Sequence, residues 1–229
     1  MKSRLLIFGS LALVLLSAYA AASLTKRTVE ERLKAYGLAA RARLEPHFKK
    51  AAVVYPPARL VLVGIKDERR LELHAAGTDG RLRLVRDYRV QGASGELGPK
   101  LREGDRQVPE GIYTVESLNP NSRFHLSLRV GYPNAFDRAK ARLDGREKLG
   151  GDIMIHGSNV SIGCLAMGDE AAEDLFVLAA DTGLKNITVI LAPVDFRRGK
   201  SVPKDARLRA WVSELYSQIQ TNLAVVPTP

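Results

Sequence analysis

The sequence has one cysteine, Cys164, in 229 residues. A single cysteine cannot close an intrachain disulfide, so no cross-linked framework supports the fold. Aromatic residues amount to only 6%, and the lysines and arginines are scattered along the chain. There is no stacking platform and no nucleic-acid motif, so no nucleic-acid partner is expected. The four histidines, His47, His74, His125 and His156, lie far apart. With one cysteine they show no metal-ligand spacing, and no metal site is expected. The glycines between Gly92 and Gly98 lack the Lys-Ser/Thr ending and the following helix of a phosphate loop. No cofactor is expected. Internal repeats and low-complexity tracts are also missing.

What is present starts with charge. Lys plus Arg total 35 against 25 Asp plus Glu, a formal net charge of +10. That excess suits an anionic partner in general and none in particular. The N-terminus is more specific. Lys2 and Arg4 precede an apolar run from Leu5 to Leu16, followed by Ala18-Tyr19-Ala20. Residues 1–22 therefore read as a secretory signal, either cleaved or kept as an anchor. Export to the periplasm or cell envelope is expected, with membrane contact confined to this segment. In such a compartment a lone thiol is a liability unless it is buried or has a task.

Residues 23–57 read as a helical segment. Thr28 and Glu31 have the spacing of a capping box, Val29 to Leu44 follows at helical periodicity, and Pro46 is expected to stop the helix. From Arg59 short β-rich runs follow: Arg59–Lys66, Leu71–Ala75, Leu82–Val90, Gly111–Leu118, Phe124–Val130, Asp152–His156 and Ile187–Leu191. The Gly/Pro-rich stretch from Gly92 to Pro109 reads as too polar for the core. Asp169 to Ala180 reads as one internal helix. Helices do not alternate with strands, so residues 58–193 read as a mainly β domain, a sandwich or distorted barrel. Residues 194–229 close the chain with an amphipathic helix, capped by Asp205 and striped by Leu208, Trp211, Val212, Leu215, Ile219 and Leu223. A frayed tail, Val225–Pro229, is expected after it.

The chemistry concentrates in Ile155-His156-Gly157-Ser158-Asn159-Val160-Ser161-Ile162-Gly163-Cys164-Leu165-Ala166-Met167-Gly168-Asp169. A thiol becomes a strong nucleophile as a thiolate, and an adjacent base or helix N-terminus promotes that form. His156 ends an apolar strand eight positions before Cys164, and the helix at Asp169 is expected to point its positive end toward the thiol loop. Gly163 permits a sharp turn, and the N–H groups of Gly163 and Cys164 are candidate oxyanion donors. Ser161 is expected to serve that turn or bond the thiol loop. Nucleophile, base and oxyanion donors together point to acyl transfer through a thioester. His125 reads equally as a cleft residue that binds substrate or assists His156 and as an ordinary core or surface histidine. His47 and His74 read as surface residues.

The run Ser161-Ile162-Gly163-Cys164, preceded by His156-Gly157, resembles the active-site signature of the YkuD-type L,D-transpeptidase catalytic domain. Gly98 to Tyr113, with Pro109-Glu110-Gly111-Ile112-Tyr113 at its end, and Tyr132-Pro133-Asn134 with Asp137 beyond, are similar to further family motifs. The resemblance runs from about Arg59 to Pro193. It implies a mostly β domain, a Cys–His acyl transferase and peptidoglycan stem peptides as substrates. Members commonly carry His two residues before the cysteine and Arg two after it; Ile162 and Ala166 stand there here. The pattern Gly-Cys-x-Ala-Met-x-Asp is closest to the YafK-like, murein transpeptidase-related branch. In that branch a hydrolase releasing wall-linked protein is also known. The resemblance thus implies either transfer to an amine or an amidase reaction, with stem peptides or wall-linked protein as partners. A wall-binding module without catalysis is the reading from another class. Arg102, Arg106 and Arg123 are the candidates for the missing arginine, and Gly157 and Tyr132 for shaping the cleft.

Overall fold

The computed structural model describes residues 26–203 and 208–229. The expected signal or anchor, residues 1–22, and the expected cap Asp205 lie outside the described residues. Thr28 Oγ accepts the Glu31 N–H, and the Glu31 carboxylate accepts the Thr28 N–H. This reciprocal cap starts helix α1, Val29–Lys50. The helix runs through Pro46, against the expected stop near Leu44. Gly37, Ala40, Leu44 and Phe48 form one buried stripe across the proline. Pro46 and Ala42 are exposed, so the Ala42 carbonyl, which loses its donor to the proline, faces water. Burying Phe48, 2% exposed, contributes about 1.5–3 kcal/mol, which largely offsets a proline cost of about 3 kcal/mol.

Eight strands form one mixed sheet: β1 Leu60–Ile65, β2 Arg70–Ala76, β3 Leu82–Arg89, β4 Gly111–Ser122, β5 His125–Val130, β6 Met154–His156, β7 Leu165–Ala166 and β8 Ile187–Ala192, in the order β3-β2-β1-β8-β4-β5-β6-β7. Strand β1 is apolar at every position and buried throughout because it serves two cores. Leu60 and Leu62 join the core with Leu44 and Phe48 of α1 and Leu175 and Phe176 of helix α3, Asp169–Thr182. Val61, Val63 and Ile65 face Leu215, Ile219 and Leu223 of helix α4, Val212–Leu223. The segment just after β3 also meets β7 by an isolated bridge. The Gln91 and Gly92 N–H groups donate to the Ala166 carbonyl, and the Ala166 N–H returns a bond to Gly92. The sheet thereby closes as a distorted barrel with helices packed on it.

Several expectations change. A second internal helix, α2 (Ala135–Leu143), follows Tyr132-Pro133-Asn134, because Asn134 and Asp137 make a full capping box. The tail is not frayed: Val226 is buried, and the Pro227 carbonyl accepts from Arg197. Helix α4 begins at Val212, so Leu208 and Trp211 precede it, although Trp211 still packs edge-on to Phe136. The stretch Gly92–Pro109 does enter the interior. Gly98, Pro99, Lys100 and Val108 are buried, and so is Glu110 next to it. Their charges are paired: Lys66 Nζ lies 2.9 Å from Glu110 Oε1, and Lys100 Nζ 2.5 Å from Asp105 Oδ1. His74 is a buried residue, with Nε2 2.7 Å from the Glu72 carboxylate. His47 is half-buried, and burial with the nearby Arg86 and Lys50 holds its imidazole below the ordinary range. None of the described helices is long and apolar enough to cross a membrane.

The α2 cap gives a test by pH. Burial pushes the Asp137 carboxyl up to about 6, against the Asn134 N–H bond that pulls it down. Its folded pKa exceeds the unfolded value of about 3.9. Between those values the folded state binds more protons, so stability falls as pH rises. Asp137→Asn keeps an oxygen for the cap and removes this slope. Urea titrations across pH 4–7 are expected to show a flatter dependence for the variant and equal or greater stability at pH 7. A steeper slope would refute the burial argument.

Candidate active site

Strands β6 and β7 run parallel, pairing Ile155 with Leu165 and His156 with Ala166. Cys164 directly precedes β7, and its thiol lies beside Met154, the first residue of β6. The Met154 N–H donates to Cys164 Sγ at 3.4 Å, and the thiol donates to the Asp152 carbonyl at 3.6 Å. No hydrogen bond from Sγ to His156 is present among the described residues. His156, at the end of β6, and Cys164, one residue before β7, thus lie on neighbouring segments, with the thiol turned to the backbone.

His156 is 2% exposed. Its Nδ1 lies 2.6 Å from the Gly157 carbonyl. A carbonyl only accepts, so the proton sits on Nδ1, and Nε2 keeps the lone pair needed to take a proton. Phe124 stacks on the ring, centroids 4.7 Å apart at 27°. Burial holds the imidazole below its ordinary range, against the Gly157 bond. For Cys164 burial pushes the thiol up, with the Met154 N–H and the Lys100 charge acting against it and Asp152 acting with it. Both shifts favour the uncharged forms. They oppose the thiolate that the sequence suggested.

The expected helix effect is also redirected. The positive end of α3 organises the turn after His156: the Gly168 N–H donates to the Ser158 carbonyl, and Asp169 Oδ1 accepts the Ser158 N–H at 2.7 Å. Gly157 is confined there. A Cβ at this position would meet Asp169 Oδ1 at 2.5 Å and the Phe124 carbonyl at 2.8 Å. The two candidate oxyanion donors already have partners. The Gly163 N–H donates to Ser94 Oγ at 2.6 Å, and the Cys164 N–H donates to Ser161 Oγ at 2.9 Å. Ser161 Oγ in turn donates to the Cys164 carbonyl at 2.6 Å, closing the thiol turn. Gly163 takes φ +95°, a conformation that favours glycine.

The remaining sequence candidates separate. His125 makes no hydrogen bond to His156 among the described residues. Its Nε2 lies 2.9 Å from Glu173 Oε1, and its ring meets Tyr36 edge-on. Tyr132 is buried, edge-on to Tyr113, with its hydroxyl donating to the Lys100 carbonyl at 3.3 Å. It supports the loop from inside and does not line a cleft. Arg106 is exposed, and its carbonyl accepts from Ser94 Oγ at 2.8 Å, which brings its backbone beside Gly163. Arg123 is exposed beside Phe124, and Arg102 is exposed in the turn capped by Asp105.

Sequence reasoning missed Phe124, Ser94, Asp152 and Lys100. Phe124 alone left a trace, as a large apolar residue in a hairpin turn. Two cavities, about 440 and 690 Å³, lie against α4 and are not lined by Cys164 or His156. No group of three or more candidate metal ligands occurs among the described residues.

The model of the YkuD family, the L,D-transpeptidase catalytic domain, matches residues 58–191. Over 113 residues the chain is 42% identical to "Putative L,D-transpeptidase YafK" of Escherichia coli K12. That match covers 48% of this chain and 43% of the relative, so the two share less than half of either length. Among solved structures, the helical cell shape determining protein Pgp2 of Campylobacter jejuni is 21% identical with a TM-score of 0.49, covering 60% of this chain and 48% of its own. Bd1075 of Bdellovibrio bacteriovorus is 18% identical with a TM-score of 0.44, covering 76% and 58%. With more than half of its residues matched by the family model, the chain belongs to the YkuD family of L,D-transpeptidase catalytic domains.

Proposed function

We propose that this chain is an exported cysteine enzyme that acts on peptidoglycan stem peptides through a thioester on Cys164. The observation that supports the reading is that Cys164, one residue before β7, and His156, at the end of β6, lie on neighbouring paired segments, with the imidazole proton held on Nδ1 and Nε2 left to accept. In the first half-reaction the thiol turns from the Asp152 carbonyl toward His156. Nε2 takes its proton as Sγ bonds to the peptide carbonyl carbon. His156 then gives that proton to the departing amine as the C–N bond breaks, leaving the acyl group on sulfur. In the second half-reaction an incoming amine or water attacks the thioester, and the thiol is restored. The oxyanion needs donors, and the Gly163 and Cys164 N–H groups serve if the Ser94 and Ser161 hydroxyls give way.

Amine and water use the same thioester, so the acceptor distinguishes a transpeptidase from an amidase. One observation favours the amidase. Ala166, where members commonly carry Arg, is fully buried and paired to Gly92, so no cation stands after the cysteine to hold a carboxylate. Purified protein incubated with sacculi, followed by muropeptide analysis, separates the outcomes. New cross-links or exchanged D-amino acids identify transfer. Released peptide or protein without cross-links identifies hydrolysis. Cys164→Ala is expected to abolish either product. Binding to sacculi with no product from the native protein or from Cys164→Ala would instead leave a wall-binding module.

A further inference from the structure

Strand β4 leaves the main sheet early. It pairs with β8 only from Gly111 to Thr114 and continues against β5 alone as far as Ser122. Strand β5 meets β6 only at Ser127 to Arg129. Beyond the Asn119–Ser127 pair, the outer hairpin projects as a two-stranded arm with no third strand beside it. Isolated two-stranded hairpins are marginal in water, so this arm needs support from elsewhere.

The support comes from α1 and α3. The Arg27 N–H donates to Asn121 Oδ1 at 2.8 Å, and Asn121 Nδ2 donates back to the Arg27 carbonyl at 2.7 Å. Arg32 Nε donates to the Pro120 carbonyl at 2.8 Å. On the other flank His125, at φ +70°, sits between Tyr36 of α1 and Glu173 of α3. The arm's two-residue turn, Arg123-Phe124, is thereby fixed. Its Phe124 ring lies on His156 and is itself 39% exposed, so it forms the outer wall of the imidazole's pocket.

We infer that the outer β4–β5 hairpin is a positioning arm for His156, in which Asn121 and Arg32 anchor the arm to α1 and Phe124 seats the imidazole. The inference rests on the reading of His156 as the base. Phe124 dries the ring and fixes its plane, while the Gly157 carbonyl fixes its proton on Nδ1. The titratable and charged groups on the segments next to His156 are Cys164 before β7, Asp169 and His125, which flank Gly157, and Arg123 beside Phe124 in the turn. The only hydrogen bond on the ring among the described residues goes to Gly157. Burial under the arm therefore governs the ionisation of His156.

The test reads His156 itself. In the full chain, NMR titration of the four imidazole C–H signals is expected to place His156 below the ordinary midpoint of about 6.5. Phe124→Ala and Asn121→Ala are each expected to raise that midpoint by roughly half a unit or more. Phe124→Tyr is expected to keep it low, and Arg32→Ala to follow Asn121→Ala. If Phe124→Ala unfolds, the exposed-site variant Asn121→Ala still decides the matter. An unchanged midpoint in folded Asn121→Ala and Phe124→Ala overturns the arm. Acylation of Cys164 by an activated ester, measured against pH, tests the underlying reading separately. Its acid limb is expected to move with the NMR midpoint, and kcat to fall more than KM changes. A midpoint that moves while the acid limb stays put supports the arm and refutes His156 as the base.

Discussion

His156→Ala is expected to slow acylation of Cys164 by roughly 100- to 10,000-fold at neutral pH, the usual range for loss of a positioned base. The shape of the pH profile should change with it. In the native protein burial lowers the imidazole and raises the thiol. The rate then climbs as His156 loses its proton, somewhat below the ordinary 6.5 or so, and stays level through neutrality because the base removes the thiol proton during attack. Without His156 only thiolate reacts. Burial keeps that thiolate scarce until above the free-thiol value of about 8.5, so the variant's rate should rise about tenfold per pH unit across neutrality. Mass spectrometry of the acyl-enzyme formed from an activated ester, sampled over time from pH 5 to 9, reads both features. A variant that keeps most of its neutral rate would show that another group activates the thiol. His125 is a poor candidate for that role, since its ring is held between Glu173 and Tyr36.

The contrast between His156 and His125 shows what a sequence makes legible. The nearness of His156 and Cys164 was readable because they sit eight residues apart on one strand–turn–strand unit, where local spacing constrains geometry. Strands such as Leu60–Ile65 were readable because burial on both faces demands an unbroken apolar run. Contacts made across the fold were not. Ser94 meets Gly163 from 69 residues away, and nothing in a Gly/Pro-rich stretch announces that pairing. Phe124 reaches His156 only because α1 and α3 hold the arm. Helix α2 was hidden by its own cap, since Asn134 after a proline reads equally well as a turn. Pro46 was over-read, because an exposed proline can be carried when the buried stripe continues to Phe48.

Charged residues in the Gly92–Pro109 region and its edge were the hardest to place, and they lead to the largest expected stability effect. Glu110 is fully buried, with Oε1 2.9 Å from Lys66 Nζ and 2.7 Å from the Gly98 N–H, and Oε2 accepting from the Tyr216 hydroxyl at 2.9 Å. Lys66 also donates to the Gly98 and Val108 carbonyls. One carboxylate thus joins β1, the loop behind Gly163 and helix α4. Glu110→Ala leaves Lys66 as a desolvated cation without a counter-charge, a change that typically costs about 3–5 kcal/mol. For a domain of this size each kcal/mol lowers Tm by roughly 2–4 °C. Burial already depresses the Lys66 pKa, and Glu110 is the chief group opposing it. In the variant the folded state should hold fewer protons than the unfolded one over a wider alkaline range, so its stability should climb with pH. Replacing both charges, Glu110→Gln with Lys66→Met, should cost less than Glu110→Ala alone, because no ion is then left unpaired. Thermal melts of the three proteins from pH 7 to 10 decide this. If the double variant proves the least stable, the Tyr216 and Gly98 bonds matter more than the charge pair. The active site should report the same damage, since Gln107 and Arg106 back Gly163 from this loop. A Glu110→Ala protein held well below its melting temperature should still acylate more slowly, because the thiol turn rests on the loop that Glu110 ties to the sheet.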